Sequence, residues 1–222
     1  MTNSQKIKKL VGIATLTALV VGLQFLSNYV TFGSISITLA LIPIAMGAIL
    51  YGPLVGFFLG AVMGGIVLTA PSTQTVFMSV NLPATIILCI LKTGLAGLVS
   101  GLLFKLFAHL AKNKENKKTK NAFFAAGIIV AALVVPVINT GLFILGASIF
   151  FTSVFGNFVG VINAVITTNF LVEFLVSAVL SPALVTLVRV LTKQYNLGFG
   201  NDFSEFTLDD TEEELEEVTV SA

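Results

Sequence analysis

The sequence predicts an all-α integral membrane protein: six transmembrane helices in one bundle, with both termini in the cytoplasm. Three observations carry this expectation. Of the 222 residues, 56% are hydrophobic and only 10% charged, at a mean hydropathy of +1.00. A soluble domain carries about 25% charged residues, so this chain has too little charge to cover a watery surface. Second, the apolar residues gather into six stretches near the length that a bilayer core requires, about 20 residues per helix or somewhat fewer where the bilayer thins. Third, the formal net charge of +1 hides a partition. Residues 201–222 hold nine acidic residues and no Lys or Arg, while the rest of the chain holds twelve basic and two acidic ones, so +10 and −9 sum to +1. These features exclude a soluble enzyme, a nucleic-acid binder with a basic face and a wholly disordered chain.

In chain order the expected spans are Leu10–Val30, Ile35–Leu50, Leu54–Thr69, Ala84–Ala108, Phe123–Gly146 and Asn163–Leu191. Lys6, Lys8 and Lys9 precede the first. Its apolar run is longer than the roughly 7–15 residues of a signal-peptide core and has no small-residue cleavage site, so it is read as a retained span. The second and third spans are short, and Tyr51-Gly52-Pro53 breaks the chain between them, because proline fixes φ and glycine accepts unusual angles. The sixth is long enough to tilt or to begin before the membrane. Residues 196–222 follow as an acidic cytoplasmic tail, expected to be solvated and disordered, although Thr211-Glu212-Glu213-Glu214 has capping-box form.

Orientation comes from the positive-inside rule. Lys6, Lys8 and Lys9 precede span one; Lys105, Lys112, Lys114, Lys117, Lys118 and Lys120 fall between spans four and five; Arg189 and Lys193 end span six. With six crossings all eleven lie on one side. The connections on the other side, at about 31–34, 70–83 and 147–162, hold no charged residue. Within 70–83, Pro71-Ser72-Thr73-Gln74-Thr75 and Asn81-Leu82-Pro83 form a polar, uncharged outer loop long enough to act as a lid or to serve as a plain connector.

Apart from Lys105 and Arg189 at the cytoplasmic ends of spans four and six, only Lys92 and Glu173 are charged inside the spans. A charge at the bilayer centre costs about 2.5–3.5 kcal/mol on insertion scales, so such residues usually have a partner or a function. At about 1.5 Å per residue, Lys92 lies about 12 Å below the outer end of span four and Asn139 about 10 Å below that of span five. Glu173 lies in the outer part of span six, where Asn169, Glu173 and Ser177 share a face at four-residue spacing. Gln24 and Asn28 approach the same layer from below. This describes a cavity for a small polar molecule entering from outside, with Lys92, Asn139, Asn169, Glu173, Gln24, Gln74 and Asn81 as candidate ligand-binding residues and Tyr29, Phe77 and Phe143 as aromatic walls. The competing reading is a Lys92–Glu173 ion pair that orders the bundle.

Small residues mark a second kind of surface. In lipid, glycine or alanine at four-residue spacing lets helix backbones approach closely. Gly52, Gly56, Gly60 and Gly64 on span three, and Gly94, Gly97 and Gly101 on span four, read as internal packing. Ala14, Ala18 and Gly22 on span one fit internal packing or a partner protein equally well.

Single Cys89 and single His109 leave no disulfide framework, metal cluster or Ser-His-Asp arrangement to expect. There is no Gly-x-x-x-x-Gly-Lys-[Ser/Thr] phosphate loop and no dinucleotide fingerprint. One carboxylate in the spans is too few for a proton relay, so uphill transport has to draw on another subunit. No enzymatic activity, cofactor, metal or nucleic-acid partner is expected.

Ile35-Ser36-Ile37-Thr38-Leu39, Ile42-Pro43-Ile44, Gly47-Ala48-Ile49-Leu50-Tyr51-Gly52-Pro53, Pro136-Val137-Ile138-Asn139-Thr140-Gly141-Leu142-Phe143 and Asn169-Phe170-Leu171-Val172-Glu173-Phe174 together resemble the substrate-binding S components of energy-coupling factor (ECF) transporters, over about residues 8–195. The resemblance implies that 1–195 is a six-helix membrane domain that captures a vitamin from outside a bacterial cell. The domain would then dock on a membrane coupling subunit carrying two cytoplasmic ATPases and topple to deliver its ligand. Ala14 and Ala18 match the family's Ala-x-x-x-Ala docking motif, with Gly22 continuing that face. Asn139-Thr140-Gly141 and Asn169 to Glu173 look most like the pantothenate-type members, in which case Lys92 would neutralise the ligand carboxylate. Riboflavin, folate and a thiamine precursor are the alternatives. From other classes, a structural or assembly protein and a stand-alone facilitator remain.

Overall fold

The structure, a computed structural model, describes residues 3–29, 31–32, 35–36, 38–114, 116–156, 159–160, 162 and 170–195. Helix α1 (Asn3–Tyr29) leads into a two-residue antiparallel pair, β1 (Thr31–Phe32) and β2 (Ile35–Ser36), with Thr31 opposite Ser36. Then come α2 (Leu41–Tyr51), α3 (Pro53–Val67), a π-helical turn (Thr73–Met78), α4 (Ser79–Lys112), α5 (Lys117–Phe150), a single turn α6 (Thr152–Phe155) and α7 (Leu171–Tyr195).

Among the described residues, four helices are long and apolar enough to cross a bilayer: Asn3–Asn28, Thr73–Lys112, Lys117–Phe150 and Leu171–Thr192. The second and third expected spans exist as helices but are shorter. At 11 and 15 residues, α2 and α3 are about 16 and 22 Å long. The second span also starts later than expected: Ile35 and Ser36 belong to the β pair and the helix begins at Leu41. Helix α2 is buried on nearly every side, including Pro43, Ile44, Ala48 and Ile49. A helix that is apolar all round belongs inside a bundle, and α2 packs against α1, α3, α4, α5 and α7. Residues 163–169 of the expected sixth span lie outside the described residues.

The break between α2 and α3 is as tight as Gly-Pro predicts. Gly52 has φ 100°, its N–H closes α2 onto the Ala48 carbonyl at 3.1 Å, and Pro53 opens α3 at a position where the missing N–H removes nothing. Only glycine adopts that φ without strain.

Helices α3 and α4 then meet backbone to backbone. A Cβ added at Gly56 would strike the Gly97 carbonyl, one at Gly60 the Thr93 carbonyl, and one at Gly64 the Cys89 carbonyl. The paired numbers fall on one side as they rise on the other, so the seam is antiparallel and repeats every four residues. Helix α5 joins this layer through a buried bond in which Ser100 Oγ donates to the Ala131 carbonyl at 2.7 Å. The main core, which includes Leu16, Ile44, Leu59, Phe104, Phe124, Ile128 and Val188, lies inside the ring of helices.

The expected outer loop at 70–83 is corrected. It is helical for most of its length, a π turn running into α4, with the chain redirected at Asn81 (φ −153°, ψ 91°). The physical reason is a capped restart. Asn81 Oδ1 accepts the Ala84 N–H at 3.2 Å, and Pro83 occupies the first turn, where no N–H is needed.

Candidate functional site

Three of the sequence-predicted ligand residues converge at the end of the bundle away from the lysines. Lys92 is half-buried on α4, and its ammonium lies 4.7 Å from the centroid of the Phe143 ring on α5. Asn139 sits one turn from Phe143, on the same face of α5, and is buried. Glu173, in the first turn of α7 and buried, lies beside Thr38 and within electrostatic reach of Lys92. Ser177, buried as well, is one turn further along α7 on the Glu173 face.

The expected alternative, a direct Lys92–Glu173 ion pair, does not form among the described residues. The Lys92 ammonium rests on the Phe143 ring, and Glu173 lies beside Thr38. Magnitudes show what this leaves over. A cation–π contact contributes about 0.5–1 kcal/mol at an exposed site and about 2 kcal/mol or more when desolvated; Lys92, half-buried, lies between these cases. Placing a lysine in the bilayer interior costs about 2.5–3.5 kcal/mol. The ring therefore offsets only part of the cost, and the ammonium retains donors for a further acceptor.

Asn139 adds a second unmet demand, because its Oδ1 is buried without a hydrogen-bond partner. A buried acceptor left unmade costs about 1–3 kcal/mol. A cation and an acceptor that each call for a partner, one turn apart around Phe143, suit a small molecule bearing both an anion and an N–H or O–H donor.

An aromatic cluster closes this region. Phe77, on the π turn, packs edge-on against Phe143 at 5.6 Å and against the buried Phe151 at 5.1 Å, with Phe155 at 6.1 Å. Phe77 and Phe143, read from the sequence as aromatic walls, pack on each other, while the side chain of Tyr29 lies outside the described residues. Phe77 thus packs the π turn against the ring that carries Lys92.

The other candidates go elsewhere. Gln24 is buried on α1, and its Nε2 donates to Asn28 Oδ1 at 2.8 Å; Asn28 Nδ2 in turn donates to the Ile66 carbonyl at 3.1 Å and to Thr69 at 3.3 Å. This chain of amides clasps α1 to the end of α3. It also sets the sense of the Gln24 amide: Asn28 must present its oxygen, so Gln24 presents its nitrogen and its own Oε1 is left buried and unpartnered. Gln74 is exposed and donates to the Leu68 carbonyl at 3.4 Å. Asn81 caps α4. Asn169 lies outside the described residues.

Two participants escaped the sequence reading. Thr38 precedes α2 and carries no signal beyond being a hydroxyl in an apolar stretch. Phe151 is one of nineteen phenylalanines, and nothing in its neighbourhood distinguishes it.

The small-residue face of α1 is open. Ala14, Ala18 and Gly22 are exposed, and a Cβ added at Gly22 meets nothing within 4 Å. The opposite face, with Leu16, Val20 and Gln24, is buried.

Compared with known proteins, the chain matches a family model over residues 8–188, described as the ECF transporter substrate-specific component. No curated protein and no solved structure matches it.

Proposed function

The chain belongs to the family of ECF transporter substrate-specific components, and on that premise we propose that its substrate is a carboxylated vitamin, pantothenate first among them. Membership makes it a membrane transport protein and not an enzyme, with a small-molecule substrate and an ECF module as partner. The observation that carries the proposal is the Lys92 ammonium, seated on Phe143 and not paired with Glu173, one turn from the buried, unpartnered Asn139 oxygen. In this reading Lys92 takes the vitamin's carboxylate in a charge-assisted bond, the strong kind at about 1.5–3 kcal/mol net. Asn139 accepts from the ligand's amide or hydroxyl, and Glu173, beside Thr38, sets the potential at Lys92. Phe77 and Phe143 already pack edge-on with each other, which favours a narrow aliphatic ligand over a broad ring system such as riboflavin or folate. Gln24, Gln74 and Asn81 stand further out in this reading, as groups on the approach to the site, and Asn169 is retained as a proposed ligand-binding residue from the sequence.

The lysine-bearing end faces the cytoplasm in this account, six helices place both termini there, and the ligand enters from the opposite side of a bacterial cell membrane. Docking on the coupling subunit uses the open face of Ala14, Ala18 and Gly22, and the two ATPases of the module supply the energy that this chain cannot. The test is the small molecule that co-purifies with the protein in mild detergent, identified by mass spectrometry. Pantothenate is the expected mass. A planar vitamin, or no vitamin at all across repeated preparations, overturns the assignment.

A further inference from the structure

The opposite end of the bundle carries a feature that the substrate site does not use. Lys105 and His109 are exposed near the end of α4, which stops at Lys112; Lys117 and Lys118 are exposed where α5 begins. Residues 105–120 hold six lysines and one acidic residue, Glu115. At the end of α4 these charges complement the helix dipole. At the start of α5 they oppose it, since a helix N-terminus is itself positive and α5 has no acidic residue in its first turn. The rim as a whole is therefore strongly electropositive.

Helix α7 brings the chain back to this rim. Glu173 lies at the level of Phe143, because both face Lys92. From Glu173 to Tyr195 is 22 residues, about 33 Å of helix, and from Phe143 back to Lys117 is 26 residues, about 39 Å. Since α7 packs along α5, it ends beside the start of α5. Asp202 follows seven residues after Tyr195 and is the first of nine carboxylates in 202–217, a segment without Lys or Arg. Seven extended residues span at most about 25 Å. A tether that short holds the carboxylates near the rim at an effective concentration in the millimolar range, so that pairs that are weak singly act together.

We propose that the acidic segment 202–217 docks on the lysine rim at the ends of α4 and α5, centred on Lys105, Lys117 and Lys118. This surface takes an acidic peptide, and the chain supplies its own. The docked segment neutralises the rim and keeps it from anionic headgroups, which would otherwise be drawn to juxtamembrane lysines.

The proposal is tested on the full chain, one copy per nanodisc, by carbodiimide coupling. This reagent joins a carboxylate and an ammonium in contact as an amide with loss of water. Mass spectrometry is expected to find peptides of 202–217 linked to peptides of 105–120, several times more often per lysine than to Lys6, Lys8 or Lys9. The yield should fall at least fivefold in about 1 M salt, where the Debye length is about 3 Å, and equally in the surface variant Lys117→Glu/Lys118→Glu. Discs of phosphatidylcholine and discs rich in phosphatidylglycerol should give the same links. Links spread evenly over all lysines, links indifferent to salt, or links lost in phosphatidylglycerol would each overturn the proposal, the last by assigning the rim to lipid. The outcome does not depend on which vitamin the protein carries.

Discussion

Two stretches of this molecule share a spacing and differ in fate. On α3, Gly56, Gly60 and Gly64 recur every four residues and press against the backbone of α4 at Gly97, Thr93 and Cys89. On α1, Ala14, Ala18 and Gly22 recur with the same period and face outward, with nothing within 4 Å of the position a Gly22 Cβ would take. Small-residue spacing thus states that a helix can be approached closely, not by what. The difference lies in the rest of each helix. α3 is 15 residues long and held between α2 and α4, so its glycine face has a partner within the chain. α1 buries Leu16 and Val20 and leaves Ala14, Ala18 and Gly22 outside, among the exposed side chains of Leu10, Val11, Leu19, Phe25 and Leu26. In the proposed function, this open small-residue face is where a helix of the coupling subunit arrives.

One pair of substitutions breaks the comparison most sharply if it is mistaken. Gly60→Ala places a methyl group against the Thr93 carbonyl, a backbone atom that cannot rotate away. It should destabilise the protein by about 2–3 kcal/mol in a detergent unfolding titration, overpacking outweighing the gain in helix propensity. Next in size, Ala14→Trp should leave folding intact while weakening co-purification of the coupling subunit at least tenfold, about 1.4 kcal/mol. Unchanged assembly would remove α1 from the docking face. Asn81→Ala takes away the side-chain cap of α4 and should cost about 1 kcal/mol; a similar loss in substrate affinity would mean that Asn81 also meets the ligand. The smallest effect has the opposite sign. Gly22→Ala, on an exposed helix with open space, should stabilise the isolated chain by about 0.5–1 kcal/mol. If Gly22→Ala and Gly60→Ala move stability in the same direction, the two faces are not different in kind.

The sequence is explicit about this architecture where backbone chemistry is local. Gly52-Pro53 marks its turn because one residue needs positive φ and the other needs no N–H. The four-residue glycine period on α3 and α4 announces their seam. Charge is legible for the same reason: few residues carry it, so Lys92 and Glu173 stand out at once. Their relation is not legible. Whether a buried cation meets a carboxylate or a ring is decided by sub-helical rotations that leave no mark on hydropathy, and Phe143 competes for attention with eighteen other phenylalanines. Thr38 is beyond reach for a different reason, since it lies in the non-helical chain between β2 and α2 and follows no helix period. The segment 70–83 misleads because its polar residues and prolines look like a loop, whereas here Asn81 and Pro83 start a helix. Gln24 and Asn28 are polar residues that read as ligand groups from a sequence, yet their main visible work is to clasp α1 to α3.

The central claim is that Lys92 reads a carboxylate. Equilibrium dialysis of the purified protein against pantothenate and against pantothenol, in which the carboxylate is replaced by an alcohol, tests it directly. The wild-type chain should hold pantothenate about 10- to 100-fold more tightly than the alcohol, the size expected of one charge-assisted bond. Lys92→Ala should lose that preference while unfolding at an undiminished denaturant midpoint. Equal retention of the two compounds by the wild-type protein, or a preference that survives in Lys92→Ala, would contradict the claim.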